Sequence, residues 1–252
     1  MLYCSIYTVM PVYSFSKINV FQQCELRFRY KYIDQYPDHD RKGIDLLLWS
    51  VVHETLQYLY TRLNVFHTPS LDECIQYFDT LWARDYHEGI LCPADKSVED
   101  YKHRGHTYIQ HYYQTYHPFD QEKTISLEDK SFSFELQQGI KFTGVIDRLA
   151  AQGQDFIIID YKTGQKLHTM QQDEYREQMT LYAHGVKQKY ERYQQQISAR
   201  LMYLHFDIQD SWIITDQEID EVVNKYSSLI TSIQDKATRY GFGDTQAFVP
   251  QQ

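Results

Sequence analysis

The sequence predicts an α/β fold in which a central sheet is flanked by helices and preceded by a long helical section. Residues 14–117 carry apolar side chains at helical spacing and contain no strong strand pattern. From residue 131 the apolar period shortens to two, and strand-like runs then alternate with helical ones. We therefore expect a single domain over residues 1–252, with a helical section at 14–117 and an α/β core at 131–250.

The helical section divides at recognisable start and stop signals. Ser14 offers an N-cap for a first helix, which we expect to end at Tyr36-Pro37-Asp38. A second helix carries Leu48, Val52, Leu56 and Leu59 at helical spacing. Two further helices are expected at 71–84 and 101–116, and Pro118 follows the last of them.

In the α/β core, strands and helices alternate along the chain. Strands are expected at 132–136, 140–149, 156–159, 200–206 and 212–215, with helices at 171–190 and 217–240. The run Phe156-Ile157-Ile158-Ile159 is apolar throughout, which is typical of a strand covered on both faces.

Composition excludes several classes of protein. No run of about 18 apolar residues could span a membrane, and the first ten residues do not look like a secretory signal. Four cysteines (4, 24, 74 and 92) without a C-x-x-C pair argue against a zinc site, so we expect a reduced, cytoplasmic protein. A net charge of −9 argues against a general nucleic-acid coating protein, although an enzyme with a local basic groove remains possible.

The most informative stretch is a predicted hairpin with acidic residues near its open end. Gly153 and Gln154 lie between two strand-like runs, and glycine at the first central position suits a type II′ turn. With this turn, Asp147 lies directly opposite Asp160, with Cβ atoms about 4.5–5.5 Å apart. Alternation along the strand places Lys162 on the same face as Asp160, so two carboxylates and an ammonium group converge.

Two interpretations of this convergence are open. Like charges directly opposite each other destabilise a sheet, so the pair requires a counter-charge. A divalent cation would supply it, and oxygen ligands favour Mg²⁺ or Mn²⁺. Alternatively, Asp160 simply ends a strand and Lys162 pairs with it at the surface. Geometry alone leaves the two equally open.

Three other polar residues bear on the choice. In the helix after the strand, Gln178 lies in a stripe of apolar and aromatic residues, where its amide needs a partner. Tyr182 is its neighbour one turn later, and together they could reach a phosphate. His53 flanks the apolar stripe of its helix, where a surface or hydrogen-bonded core histidine is the common alternative to a metal ligand.

Taken together, these residues resemble the PD-(D/E)XK nuclease superfamily. Asp147, then Asp160-Tyr161-Lys162, then a helix with Gln178 and Tyr182 are similar to its motifs, particularly those of the RecB-like group, which includes the CRISPR-associated RecB-like exonucleases. Residues 13–24 and 51–56 are similar to that group's N-terminal signature and to its helix with a metal-binding histidine. The resemblance implies a restriction-endonuclease-like core with a mixed central β-sheet flanked by helices.

The resemblance also implies roles for the site residues. The ligands of a catalytic Mg²⁺ or Mn²⁺ would be His53, Asp147, Asp160 and the backbone carbonyl of Tyr161. Lys162 would orient or help to deprotonate the attacking water. Gln178 and Tyr182 would steady the site and contact the substrate phosphate. The implied chemistry is metal-assisted phosphodiester hydrolysis.

Many members of this group hold an iron–sulfur cluster through one N-terminal and three C-terminal cysteines. Cys24 stands at the N-terminal position, but the sequence reaches Pro250 without the other three. Either this is a member without a cluster, which we favour, or the sequence has been shortened before that motif. We therefore expect no iron–sulfur cluster, and we expect Cys24 to be a small buried residue.

The function that the resemblance implies is a metal-dependent DNA nuclease, an exonuclease acting on single-stranded ends in DNA repair, recombination or CRISPR and mobile-element processing. A helicase or an integrase is a possible protein partner. One alternative is a catalytically silent or partner-dependent domain that binds nucleic acid or protein, and another is a small-molecule phosphodiesterase with a closed pocket. The basic residues Lys187, Lys189, Arg192 and Arg200 indicate either a DNA-contacting surface or a solvated helix end.

Overall fold

The computed structural model describes residues 12–37, 42–128, 132–137, 139–165, 169–190 and 196–248, without the side chains of residues 169–171. The helices are α1 (Phe15–Gln23), α2 (Glu25–Phe28), a π-helical turn (Arg29–Ile33), α3 (Ile44–Leu63), α4 (Leu71–Asp85), α5 (Val98–Tyr116), α6 (Thr169–Lys189) and α7 (Asp216–Gly241). The strands are β1 (Tyr13–Ser14), β2 (Lys123–Leu127), β3 (Ser133–Glu135), β4 (Lys141–Thr143), β5 (Arg148–Gln152), β6 (Asp155–Lys162), β7 (Ile197–Tyr203) and β8 (Ile208–Ile214).

Side-chain caps define where the helices begin. The hydroxyl of Ser14 accepts a hydrogen bond from the amide of Lys17, which confirms the predicted N-cap of α1. Ser70 and Glu73 form a reciprocal capping box at the start of α4, and similar boxes start α5 and α7.

The first helical stretch differs from its prediction. It is interrupted at Cys24 and ends at Ile33, before Tyr36 and Pro37, while Asp38 lies outside the described residues. Cys24 is half-buried rather than buried, and its sulfur accepts the amide N–H of Arg27, which caps α2. The expectation of a buried Cys24 was therefore wrong.

A mixed five-stranded sheet, in the order β2-β5-β6-β7-β8, forms the centre of the fold. The β6 and β7 strands are parallel, and the other neighbouring pairs are antiparallel. A smaller sheet, in the order β1-β4-β3, lies beside it. The predicted mixed α/β architecture is confirmed.

Both faces of β6 are buried, as its apolar run predicts. Ile158 packs in a core that includes residues of α1, α6 and α7, whereas Ile157 and Ile159 pack in a second core with α3, α4 and α5. The helices of the first 117 residues therefore cover both faces of the sheet.

The predicted strand at 140–149 was wrong, because its two halves belong to different sheets. β4 ends at Thr143 and β5 begins at Arg148. At Gly144 the chain passes so close to Tyr182 that a Cβ atom would lie 2.3 Å from the ring. Only glycine permits this approach without a shift of the ring. The edge strand β2 has no counterpart in the prediction.

Of the four basic residues that indicated either a DNA-contacting surface or a solvated helix end, two are engaged in ion pairs. Arg200 points into the molecule and forms an ion pair with Glu122, while Lys187 pairs with Asp216. Arg192 lies outside the described residues. Within the described ranges, none of the helices has the length and apolar character needed to cross a membrane.

Candidate active site

A cavity of about 660 Å³ opens where β6 ends, between α3 on one side and α1 and α6 on the other. It is lined by every residue that the sequence singled out for the site, namely His53, Asp147, Asp160, Tyr161, Lys162, Gln178 and Tyr182. These residues come from four separate segments of the chain, so the fold brings together what the sequence distributes over 130 positions.

The hairpin of β5 and β6 has the predicted register. Arg148 pairs with Ile159, and the turn follows at Gly153, whose φ is +64°. Asp147 lies one residue before β5, at the position that continues this register toward Asp160. Its Oδ2 atom accepts the backbone N–H of Tyr161 at 2.8 Å, so the side chain is fastened to the end of β6.

His53 reaches the same carboxylate from α3. Its Nε2 atom lies 3.1 Å from Oδ2 of Asp147, and its Nδ1 atom lies 2.8 Å from the carbonyl oxygen of Trp49. Burial by itself would lower the pKa of His53, but the charge and hydrogen bond of Asp147 outweigh burial and raise it. Because both ring nitrogens face oxygen acceptors, the doubly protonated ring is the form that fits this arrangement.

Asp160 and Lys162 form the second charged pair. Nζ of Lys162 lies 2.7 Å from Oδ2 of Asp160 and 3.8 Å from the ring centroid of Tyr175. Burial raises the pKa of Asp160, and the negative charge of Asp147 raises it further, against the opposing effect of Lys162. Burial would lower the pKa of Lys162, but Asp160 reverses that and raises it. Lys162 is therefore held in its charged form.

Gln178 and Tyr182 complete the wall of the cavity that α6 contributes. The amide nitrogen of Gln178 donates to the hydroxyl of Tyr182 at 3.0 Å, which is the partner its apolar surroundings require. Burial raises the pKa of Tyr182 to about 12, so its hydroxyl stays protonated at neutral pH. A neutral hydroxyl beside two carboxylates can donate to a phosphate oxygen.

The donor set fits a divalent cation by its chemistry. One imidazole nitrogen and two carboxylates, one of them desolvated beside the other, are ligands that Mg²⁺ and Mn²⁺ accept. Among the described residues, no three such side chains are already arranged around one point. Instead Nε2 of His53 contacts Asp147, and Nζ of Lys162 contacts Asp160. A cation held by His53 and both carboxylates would replace the proton between His53 and Asp147.

Among the other lining residues, Trp49, Glu54 and Glu128 bear on the chemistry of the cavity and were not predicted as part of the site. Trp49 precedes His53 by one helical turn, and this spacing, together with its aromatic character, was the signal that could have found it. Glu54 lines the cavity and pairs with Arg84 through two hydrogen bonds of 2.8 and 3.0 Å. Glu128 also lines the cavity, and its backbone has a positive φ of +35°, which the sequence did not predict.

The sequence profile of the PD-(D/E)XK nuclease superfamily matches residues 12–245, so the chain belongs to this superfamily. Members typically use divalent metal ions to act on nucleic acid. Among solved structures, the chain is similar to the crystal structure of a candidate exonuclease from Eubacterium rectale. That likeness has a TM-score of 0.51 at 13% identity and covers 94% of this chain and 88% of the other, which establishes a shared fold. No curated protein matches the chain at a significant level.

Proposed function

We propose that this protein is a metal-dependent deoxyribonuclease, a RecB-like exonuclease that hydrolyses phosphodiester bonds at single-stranded DNA ends. The observation that carries the proposal is the convergence of Asp147, Asp160 and Lys162 with His53 on one cavity. A silent member of the superfamily is expected to have lost Asp147, Asp160 or Lys162, and all three are present at this cavity.

The metal ligands in this proposal are His53, Asp147, Asp160 and the carbonyl of Tyr161, with Mg²⁺ or Mn²⁺ as the ion. When bound, the ion supplies Lewis acidity and lowers the pKa of a water molecule. Asp147 is positioned for its role by the N–H of Tyr161, and His53 by the carbonyl of Trp49. Both ligands are thus oriented by backbone groups, which restricts their rotation.

Lys162 orients the attacking water and stabilises the negative charge that develops around phosphorus. Its ammonium group is held by Asp160 and by the ring of Tyr175, and it stays charged because its pKa is raised. Gln178 and Tyr182 donate hydrogen bonds to phosphate oxygens from α6, since both carry N–H or O–H groups at the cavity.

The test is cleavage of end-labelled single-stranded and double-stranded DNA in Mg²⁺ or Mn²⁺ by the wild type and by the variants Asp160→Asn and Lys162→Met. The matched control is Asp155→Asn, a carboxylate change on the same strand about 17 Å from Asp160. We expect metal-dependent, end-directed cleavage by the wild type and the control, with a loss of about 10³-fold or more in the two site variants.

Two outcomes would count against the proposal. Equal cleavage by wild type and Asp160→Asn would mean that the activity does not come from this site. Absence of cleavage by folded wild type, when Mn²⁺ raises its melting temperature and so reports binding, would favour the silent or partner-dependent alternative.

A further inference from the structure

Trp49 is a large aromatic side chain that the fold leaves exposed at the cavity. Its relative exposure is 43%, whereas Trp82 is 5% exposed and lies in the core. The ring of Trp49 lies 4.5 Å from the ring of His53, centroid to centroid, at a tilt of 43°. One part of the indole thus rests on a proposed metal ligand, while the rest is open to a ligand in the cavity.

The charges around the cavity restrict how a nucleic acid can be held there. Its wall carries four carboxylates, those of Glu54, Glu128, Asp147 and Asp160. Among the described residues that line it, Lys162 is the single Lys or Arg. A strand bound only through its phosphates would therefore gain little binding free energy at this wall, because phosphate binding depends on cationic side chains.

The cavity wall also presents exposed apolar surface. Val145, which is 42% exposed, lines the cavity together with Trp49. Stacking of a base on an aromatic ring contributes binding free energy without a counter-charge and without regard to base identity. It also requires a base whose face is free, which an unpaired strand supplies and the interior of a duplex does not.

We propose that Trp49 is the stacking platform for an unpaired nucleobase beside the scissile phosphate, and that it selects single-stranded substrate. The inference rests on the proposed function, since it assigns the strand to the same cavity. The base it contacts belongs to a nucleotide next to the reacting bond, because Trp49 lies one helical turn from His53.

The experiment measures binding in EDTA, where no cleavage occurs, by fluorescence anisotropy of a labelled 15-nucleotide thymidine strand. The comparison probe is a strand of the same length with abasic sites, which keeps the phosphates and removes the bases. We expect Trp49→Ala to weaken binding of the thymidine strand by roughly 5- to 150-fold and to leave the abasic strand unchanged. Trp49→Phe, which keeps a ring, is expected to retain most of the affinity.

The matched control is Phe66→Ala, which removes another exposed aromatic side chain about 25 Å away, beyond the other end of α3. It is expected to change neither probe's affinity. Equal weakening of both probes by Trp49→Ala, or none, would overturn the inference, since the ring would then serve only to position His53. If Trp49 shows the expected base dependence in a protein that never cleaves DNA, the proposed function fails and the stacking role stands.

Discussion

Two clusters of buried charge lie on opposite faces of the central sheet, and they differ in what surrounds them. The first is the candidate site, where Asp147 and Asp160 border a cavity of about 660 Å³. The second lies on the opposite face of the sheet, where Glu122 binds the guanidinium groups of Arg148 and Arg200. The space beside the second cluster is only about 10 Å³.

Strand alternation produces both clusters. Arg148 follows Asp147 and Tyr161 follows Asp160, so each strand presents one residue to the site and the next to the opposite face. Arg148 stacks on the ring of Tyr60 at 3.9 Å. The hydroxyl of Tyr112 is hydrogen-bonded to those of Tyr60 and Tyr161, at 2.6 and 3.3 Å. Tyrosine side chains therefore fill the space that a ligand would need.

The comparison separates two uses of buried charge. In the second cluster one carboxylate binds two guanidinium groups within a closed packing, so the cluster contributes to the fold. At the site the carboxylates border open space, so a ligand in the cavity can reach them. Tyr161 belongs to both, because its N–H binds Asp147 while its hydroxyl binds Tyr112.

The largest effect on stability is expected from Glu122→Gln. This change leaves two guanidinium groups without their counter-ion, and removing one partner of a buried ion pair costs about 3–5 kcal/mol. The melting temperature should fall by roughly 6–20 °C. Cleavage per folded molecule should stay close to that of the wild type.

The control for this variant is Glu221→Gln, which changes an exposed carboxylate on α7 and should alter the free energy of unfolding by less than about 0.5 kcal/mol. Thermal unfolding followed by circular dichroism measures both. A melting temperature of Glu122→Gln within the range of this control would show that the second cluster does not stabilise the fold.

Asp147→Asn is expected to have a smaller effect on the stability of the metal-free protein and to act mainly on metal binding. The amide oxygen can still accept the N–H of Tyr161, and His53 can release its proton when the carboxylate is removed, so the metal-free variant should lose less stability than Glu122→Gln. Mn²⁺ at 100 times its dissociation constant should stabilise the wild type by about 2.7 kcal/mol. Most of this stabilisation should be lost in Asp147→Asn and kept in Glu122→Gln. An undiminished response to Mn²⁺ in Asp147→Asn would place the ion elsewhere.

The smallest expected effect is on the pH dependence of stability, through the protonation of His53. Because Asp147 raises the pKa of His53 above the unfolded value of about 6.5, the protonated ring stabilises the folded, metal-free protein. This contribution is complete below pH of about 6.5 and is lost as the pH rises through the raised pKa. The stability advantage of wild type over His53→Gln, measured by urea unfolding in EDTA, should therefore shrink with rising pH.

The control is the same comparison in an Asp147→Asn background, where the stabilities of the proteins with His53 and with His53→Gln are measured against pH. Removing the carboxylate removes the main cause of the raised pKa, so the advantage should depend less on pH. An advantage in the original background that does not change with pH would contradict the proposed coupling between His53 and Asp147.

The local part of the site could be predicted from sequence because it depends on one hairpin. A two-residue turn at Gly153 sets the register, and the register decides which residues approach Asp160. The helix periodicity around His53 and the solid apolar run of β6 were equally readable, since each depends on neighbours within about ten residues.

Long-range features were not readable in this way. The break between β4 and β5 depends on Tyr182 packing against Gly144, almost 40 residues away, and it divides a continuous strand pattern between two sheets. Arg200 looked like a surface cation until Glu122 was seen to bind it inside the molecule. The spacing of Trp49 from His53 placed it near the site, but it did not indicate that the ring would remain exposed.

By itself, then, the sequence determined the order of most helices and strands, the hairpin that carries Asp147, Asp160 and Lys162, and the superfamily resemblance that its motifs express. Only the tertiary structure decided that α3 delivers His53 to Asp147, that Arg148 and Arg200 close around Glu122, and that Trp49 faces the cavity. The physical reason is that turn geometry and side-chain periodicity act between neighbours in the chain, whereas burial and charge pairing depend on which distant segments come to lie against each other.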